Sequence, residues 1–277
     1  MGESGGLLPL SRTVMETTEQ PFDGAARSAQ QAGSLLDISS KIRHIVSDLE
    51  RPTSEAAMSA FNPSTRAYDA VLFDLLTALL DSWTLWTSVA GNEAAGRRWR
   101  AEYLKITYAA GEYRPYEDLV ATAAHNVGLS RDLAKQLGAR YGELRPWPGV
   151  SDALDRLHRD GVPLGVVTNC SEELGRIAAK CVGVPFTVLV TAERAGYYKP
   201  QPQPYQLALR ELQLEPHRCL FVAGSAYDLF GTAKVGLPTW WHNRTNMVAP
   251  EGAPAPLVCR DELTTLPAYG AGTRAET

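Results

Sequence analysis

The sequence predicts an α/β fold: a parallel β-sheet covered by helices, with a helical insertion after the first strand. Three observations carry this. From residue 67, short β-branched or apolar runs alternate with helix-like segments, the pattern of strand and crossover helix in a parallel sheet. The interval from about 83 to 148 interrupts the alternation with helix after helix and no strand between. Polar clusters fall at the ends of the apolar runs, where an open parallel sheet gathers its ligands.

The first strand is expected in "AVLFDLL", with Asp74 closing "AVLF". An acid inside so apolar a run needs a reason, because an uncompensated buried charge is costly. The insertion follows, opening with "WTLWTSVAGNEAAGRRWRAEYLKITYAAG", and "LRPWPGV" at 144–150, with two prolines and a glycine, is the natural return to the sheet. "GVSDALDRLHRDG" then reads as a helix, "PLGVVTN" as a strand ending in Thr168 and Asn169, and "FTVLVT" as a third strand. "GYYKPQPQPY" brings Lys199, and "PQPYQLALRELQL" is helical. "CLFVAGS" is the fourth strand, with Asp228 just beyond it in "AGSAYD". Trp240 and Trp241 are expected after that strand, in the core. Residues 1–66 differ in kind: rich in Ser, Gly, Ala, Thr and Glu, they offer one amphipathic helix at 35–50 and otherwise read as a largely disordered extension.

Composition excludes several function classes. In a chain of 277 residues, 44% hydrophobic, Lys plus Arg number 27 against 31 Asp plus Glu, a net charge of -4, so the basic surface of a nucleic-acid binder is missing. No apolar run reaches the length of roughly 18 residues that a membrane span needs, and the N-terminus lacks the pattern of a signal peptide, so a cytoplasmic setting is expected. The four cysteines lack metal-ligand spacing and read as reduced, buried small hydrophobes. A small neutral-to-anionic partner is expected.

Taken singly, Asp74 and Asp228 could be helix caps, Lys199 a surface charge, and Thr168 and Asn169 turn residues. Their order and joint placement at strand ends point instead to one site. In that order they resemble the haloacid dehalogenase superfamily over about Tyr68 to Arg244, and "WRAEYLKITY", "VVTNCS", "YKPQPQPYQLAL" and "FVAGSAYDLFGTAKVGLPTWWHNR" are most similar to its L-2-haloacid dehalogenase branch. The resemblance implies a Rossmann-like core over 67–82 and 149–265, a helical cap over 83–148, and Asp74 as a nucleophile that displaces a leaving group from carbon to give an enzyme ester. It implies Lys199 as the cation beside Asp74, Asp228 as the group that handles the hydrolytic water, and Thr168, Asn169, Arg100 and Tyr205 as substrate-binding residues. Arg100 suits a carboxylate or a departing anion because its planar fork is always charged; from the sequence it is equally open as a solvated helix charge among Arg97, Arg98 and Lys105.

The resemblance also implies no cofactor, a small carboxylic acid as substrate, no nucleic-acid or membrane partner, and leaves a homodimer open as the assembly. The superfamily's phosphatases bind Mg²⁺ through acids that fall here at Leu76 and Gly224, so metal-dependent phosphoryl transfer is not expected. Departures from the dehalogenase pattern are also present. Leu76, Thr77 and Ala78 stand where the branch has Tyr-Gly-Thr, and Ala223 and Ser225 where it has Ser and Asn. A ring-opening hydrolase acting on azetidine-2-carboxylate therefore stays open beside 2-haloacid dehalogenation, as does a non-catalytic binding protein.

Overall fold

The structure, a computed structural model, describes residues 66–270. The helix expected at 35–50 and nearly all of the expected extension lie outside the described residues. Within them, six parallel strands form one sheet in the order β3-β2-β1-β4-β5-β6. These are β1 (Ala70–Phe73), β2 (Leu164–Thr168), β3 (Val188–Thr191), β4 (Cys219–Ala223), β5 (Thr239–His242) and β6 (Val258–Arg260).

Strands β1, β2 and β4 are buried at every residue, the burial expected of a parallel sheet covered on both faces, and this is why they read as continuous apolar runs rather than alternating ones. Side chains nevertheless alternate between two cores. Val71, Phe73, Val166, Leu220, Val222 and Trp240 face one, and Ala70, Leu72, Val167, Val190, Phe221 and Trp241 the other. Trp240 and Trp241 are thus core residues, as expected, but they lie within strand β5 rather than after the last strand. Strands β5 and β6 are additions to the expected set; β6 is three residues long and mostly exposed, which leaves little apolar pattern to read.

Between β1 and the first crossover helix stand α1 (Ser82–Ala90), α2 (Glu93–Ala109), α3 (Tyr116–Asn126), α4 (Leu133–Ala139) and a single turn at Tyr141–Glu143. The breaks follow local chemistry. Asp81 caps α1 by accepting from the Thr84 N–H at 3.0 Å, Gly91 ends it in the left-handed region, and Asn92 caps α2 through the Ala95 N–H at 2.9 Å. Such caps each contribute about 1 kcal/mol. The outgoing and returning chains meet at a bridge between Leu80 and Pro146, flanked by hydrogen bonds from Asp81 N to Arg145 O and Trp147 N to Leu79 O.

The core then continues through α5 (Val150–Arg159), β2, α6 (Glu172–Val182), β3, α7 (Ala192–Ala195), α8 (Pro202–Leu212), β4, α9 (Asp228–Val235), β5, β6 and α10 (Leu266–Gly270). Successive connections build outward from β1 to β2 and β3 on one side, then cross to β4, β5 and β6 on the other. The end of β1 is therefore the point where the winding reverses and a crevice opens beyond the strands. Asp74 is the next residue.

Candidate active site

Asp74 continues the ladder through its N–H to Val222 O at 2.9 Å, and its carboxylate then meets the turn that follows. Oδ2 accepts from the N–H groups of Thr77 at 2.9 Å and Ala78 at 3.2 Å, and from the Thr77 hydroxyl. The other oxygen, Oδ1, accepts from Lys199 Nζ at 2.8 Å. That same ammonium lies 2.9 Å from Asp228 Oδ1, so one lysine bridges two carboxylates. Lys199 and Asp228 are fully buried, and Asp74 is nearly so.

The acid inside the apolar run "AVLFDLL" thus has a structural reason: the charge has four donors, one of them cationic. Burial alone would push the Asp74 carboxyl up; the Lys199 charge and the bonds from Lys199 and Thr77 more than offset this and hold it below its ordinary value. Burial opposes the charge on Lys199 too, but Asp228 and Asp74 outweigh it and keep the ammonium protonated. Asp228 takes the opposite course to Asp74. Burial and the neighbouring Asp74 charge prevail over Lys199, and its carboxyl is pushed up to about 6. Its second oxygen is buried without a hydrogen-bond partner.

Behind this trio sit two supports. Asn169 accepts from Lys199 N at 2.7 Å and donates to Lys199 O at 3.0 Å, a reciprocal clasp on the lysine's main chain. Tyr205 donates to Asp228 Oδ1 at 3.0 Å. The ring of Tyr205 passes so close to Gly231 on α9 that a methyl there would lie 2.6 Å from the phenol oxygen, so only glycine admits this contact. Both residues were expected to bind substrate. In the structure the Asn169 amide holds Lys199 while Asn169 also lines the cavity, and Tyr205, which is absent from the cavity lining, holds Asp228. Thr168, fully buried, does reach the cavity wall.

In front of Asp74 lies a small, tightly closed cavity, walled on the core side by Asp74, Leu76, Thr77, Thr168 and Asn169 and on the insertion side by α2 residues. Arg100 is one of these, 1% exposed, with its guanidinium over the rings of Trp86 at 5.0 Å and Tyr103 at 5.1 Å. Its Nε and Nη1 are buried with no hydrogen-bond partner. This is not the solvated helix charge that the sequence left open. An arginine buried against aromatic rings with unused donors has the chemistry to receive an anion.

Three further residues contribute to the site. Tyr103 donates to Asn169 O at 2.8 Å and so ties the insertion to the lysine clasp. Tyr108, stacked on Tyr227 with ring centroids 4.7 Å apart, lines the cavity near Ser225, and burial together with Asp228 and Asp74 keeps its phenol protonated. Thr77 supplies Asp74 with a hydroxyl one position earlier than the family pattern places one, so the departure at 76–78 moves that donor rather than removing it. For Tyr103 and Tyr108 the readable signal was their one-sided spacing with Arg100 and Leu104 on α2. Cys170, assigned no role from the sequence, has none here: burial pushes its thiol up to about 12.

A magnesium site of the phosphatase kind does not fit these residues. Leu76 offers no side-chain donor, its carbonyl is taken by the Ser82 hydroxyl, and the space beside Gly224 is filled, since a methyl added there would overlap the main chain of Thr77 and Ala78. Among the described residues no three His, Cys, Asp or Glu side chains converge on one point.

Comparison with known proteins agrees with this fold. The family model described as haloacid dehalogenase-like hydrolase matches residues 33–236. An (S)-2-haloacid dehalogenase, H-109 of Pseudomonas putida, is 30% identical over 200 residues, 66% of this chain and 89% of the relative. Haloacetate dehalogenase H-2 of a Moraxella species (strain B) is 29% identical over 156 residues, 53% of this chain and 70% of its own. A crystal structure of an L-2-haloacid dehalogenase superposes with a TM-score of 0.65 at 24% identity, covering 73% of this chain and 98% of that one, a likeness that speaks for the fold. The chain belongs to the haloacid dehalogenase-like hydrolases.

Proposed function

We propose that this hydrolase cleaves the carbon–halogen bond of a small 2-halocarboxylic acid through an ester on Asp74, with no metal. The observation that carries this reading is the single lysine shared by Asp74 and Asp228 beneath the unpaired guanidinium of Arg100. The names of the relatives support the substrate class.

The steps follow from charge. Arg100, in the wall of the cavity that Asp74 faces, receives the substrate's carboxylate or its departing halide. Asp74, ionised and aimed by Thr77, Ala78 and Lys199, forms a carbon–oxygen bond at C2 as the carbon–halogen bond breaks and the halide takes the electron pair. Water then adds to the Asp74 carbonyl carbon and gives a proton to Asp228. Collapse expels the 2-hydroxy acid, which takes that proton, and Asp74 is restored with net release of one proton and one halide.

Esterification changes the electrostatics of the trio in a useful direction. In the resting site burial, reinforced by the Asp74 charge that shares the one ammonium, keeps the Asp228 carboxyl high. Once Asp74 becomes a neutral ester, its repulsion of Asp228 vanishes and Lys199 faces Asp228 alone. Asp228 is then driven toward its ionised form, the form required of a general base, at the step that needs one.

Incubation with 2-chloropropionate, azetidine-2-carboxylate and p-nitrophenyl phosphate, each with and without EDTA, tests the assignment. Halide release that survives chelation supports it. Phosphate release that depends on added magnesium, without halide release, overturns it.

A further inference from the structure

The two peptide groups that donate to Asp74 Oδ2 are each held at their far end by a side chain. The Leu76–Thr77 peptide gives its N–H to Asp74 at 2.9 Å, and its carbonyl, Leu76 O, accepts from the Ser82 hydroxyl. The Thr77–Ala78 peptide gives its N–H to Asp74 at 3.2 Å, and its carbonyl, Thr77 O, accepts from Trp147 Nε1 at 3.0 Å. A peptide unit is a rigid plane, so a bond fixing its carbonyl end fixes the direction of its N–H. Each side chain thus reaches the carboxylate through one planar unit, in a chain of two hydrogen bonds that polarise one another.

The positions of the two anchors add to the argument. Ser82, 1% exposed, is the first residue of α1, where the chain leaves the core for the insertion; Trp147 lies in the return segment, paired through its own N–H to Leu79 O at 3.0 Å. The two chain crossings that carry the insertion therefore also hold the Asp74 turn. His242, at the end of β5, bonds the next carbonyl, Ala78 O, at 2.7 Å, but the N–H of that peptide, Leu79 N, turns to Leu75 O rather than to Asp74.

We propose that Ser82 and Trp147 are positioning residues for the Asp74 carboxylate, acting through the Leu76–Thr77 and Thr77–Ala78 peptides. The role rests on Asp74 being the nucleophile, but the arrangement can be read without any turnover. The experiment compares amide hydrogen exchange by NMR in the full-length protein and in Ser82→Ala, Trp147→Phe and Trp240→Phe. Trp240 serves as the matched control, since it is buried in β5 and its indole N–H has no partner. Exchange at Thr77 and Ala78 is expressed relative to that of the Asp74 amide, which belongs to the sheet ladder. Loss of one neutral hydrogen bond sets the scale at about fivefold. Ser82→Ala is expected to accelerate Thr77 by about that factor or more, Trp147→Phe to accelerate Ala78, and Trp240→Phe to change neither ratio. In single turnover with 2-chloropropionate, the first two variants are expected to form ester about fivefold more slowly with KM unchanged. Unchanged ratios at Thr77 and Ala78, or an equal rise in the Trp240→Phe control, overturn the proposal. If the wild-type protein releases no halide, the ester reading fails while the exchange pattern still decides whether these anchors hold Asp74.

Discussion

Replacing Lys199 by methionine tests the electrostatic arrangement most severely. The linear thioether keeps much of the buried stem's packing, and the clasp from Asn169 engages only main-chain atoms, so the change is chiefly the loss of one charge. Asp74 and Asp228 would then share a buried site with no cation. Breaking a buried ion pair by removing one partner costs about 3–5 kcal/mol, and here two carboxylates lose the same partner. The cost should depend on pH with a definite sign. In the wild type, Asp74 is held below its ordinary value of 3.8, so its contribution to stability is present above that pH and is lost on acidification. Asp228 lies at about 6, so its ionisation lowers stability as pH rises from 3.8 through 6. Without Lys199 both carboxyls rise, and stability falls with increasing pH for both. Urea unfolding should therefore show a loss of about 3 kcal/mol or more at pH 8, partly recovered at pH 5, and relief at pH 8 on adding Asp228→Asn. A loss below about 1 kcal/mol, or one equal at both pH values, would refute the claim that a single ammonium offsets two ionisable buried carboxyls.

Other outcomes follow from the same geometry. Arg100→Lys keeps the charge but not the fork, and should lower kcat/KM for 2-chloropropionate by about tenfold to a hundredfold, the scale of one to two charge-assisted bonds; an unchanged value removes Arg100 from the reaction. In rapid-quench experiments from pH 5 to 8, halide release in the first turnover should be nearly flat, because Asp74 is ionised throughout. Ester hydrolysis should show its midpoint at a pH below 6, because the ester no longer repels the Asp228 charge; a hydrolysis midpoint above 6 contradicts that coupling. Gly224→Asp, which supplies the acid that a magnesium site would need, should cost about 1–3 kcal/mol by overlap with the Thr77–Ala78 main chain and confer no magnesium-dependent phosphatase activity, as unfolding curves and p-nitrophenyl phosphate assays would show.

Much of this was legible in the sequence where physics leaves a local mark. Strands β1, β2 and β4 are runs buried on both faces and β3 is nearly so, so their apolar composition alone reveals them, and Asp74, Lys199 and Asp228 stand out because charges at such ends need partners. Strand β6 has no such run, and β5, "TWWH", has only two apolar residues between a threonine and a histidine. Within the site, the jobs of Asn169 and Tyr205 could not be read, because which atom a side chain meets is set by residues 23 to 30 positions away along the chain. Arg100 lay open between solvent and site until the packing of Trp86 and Tyr103 around it was seen. Ser82 and Trp147 carry no motif at all. Their contact with the Asp74 turn arises only once the outgoing and returning chains lie side by side at Leu80 and Pro146.

The central claim is a covalent bond between Asp74 and the substrate carbon. The most direct measurement is a single turnover with excess enzyme in oxygen-18 water, followed by mass spectrometry of the product and of the peptide containing residue 74. The account predicts a first product carrying an unlabelled oxygen from Asp74, with the label appearing in the Asp74 carboxylate. A first product already labelled, with Asp74 unlabelled, would mean that water attacks the substrate directly and would contradict it.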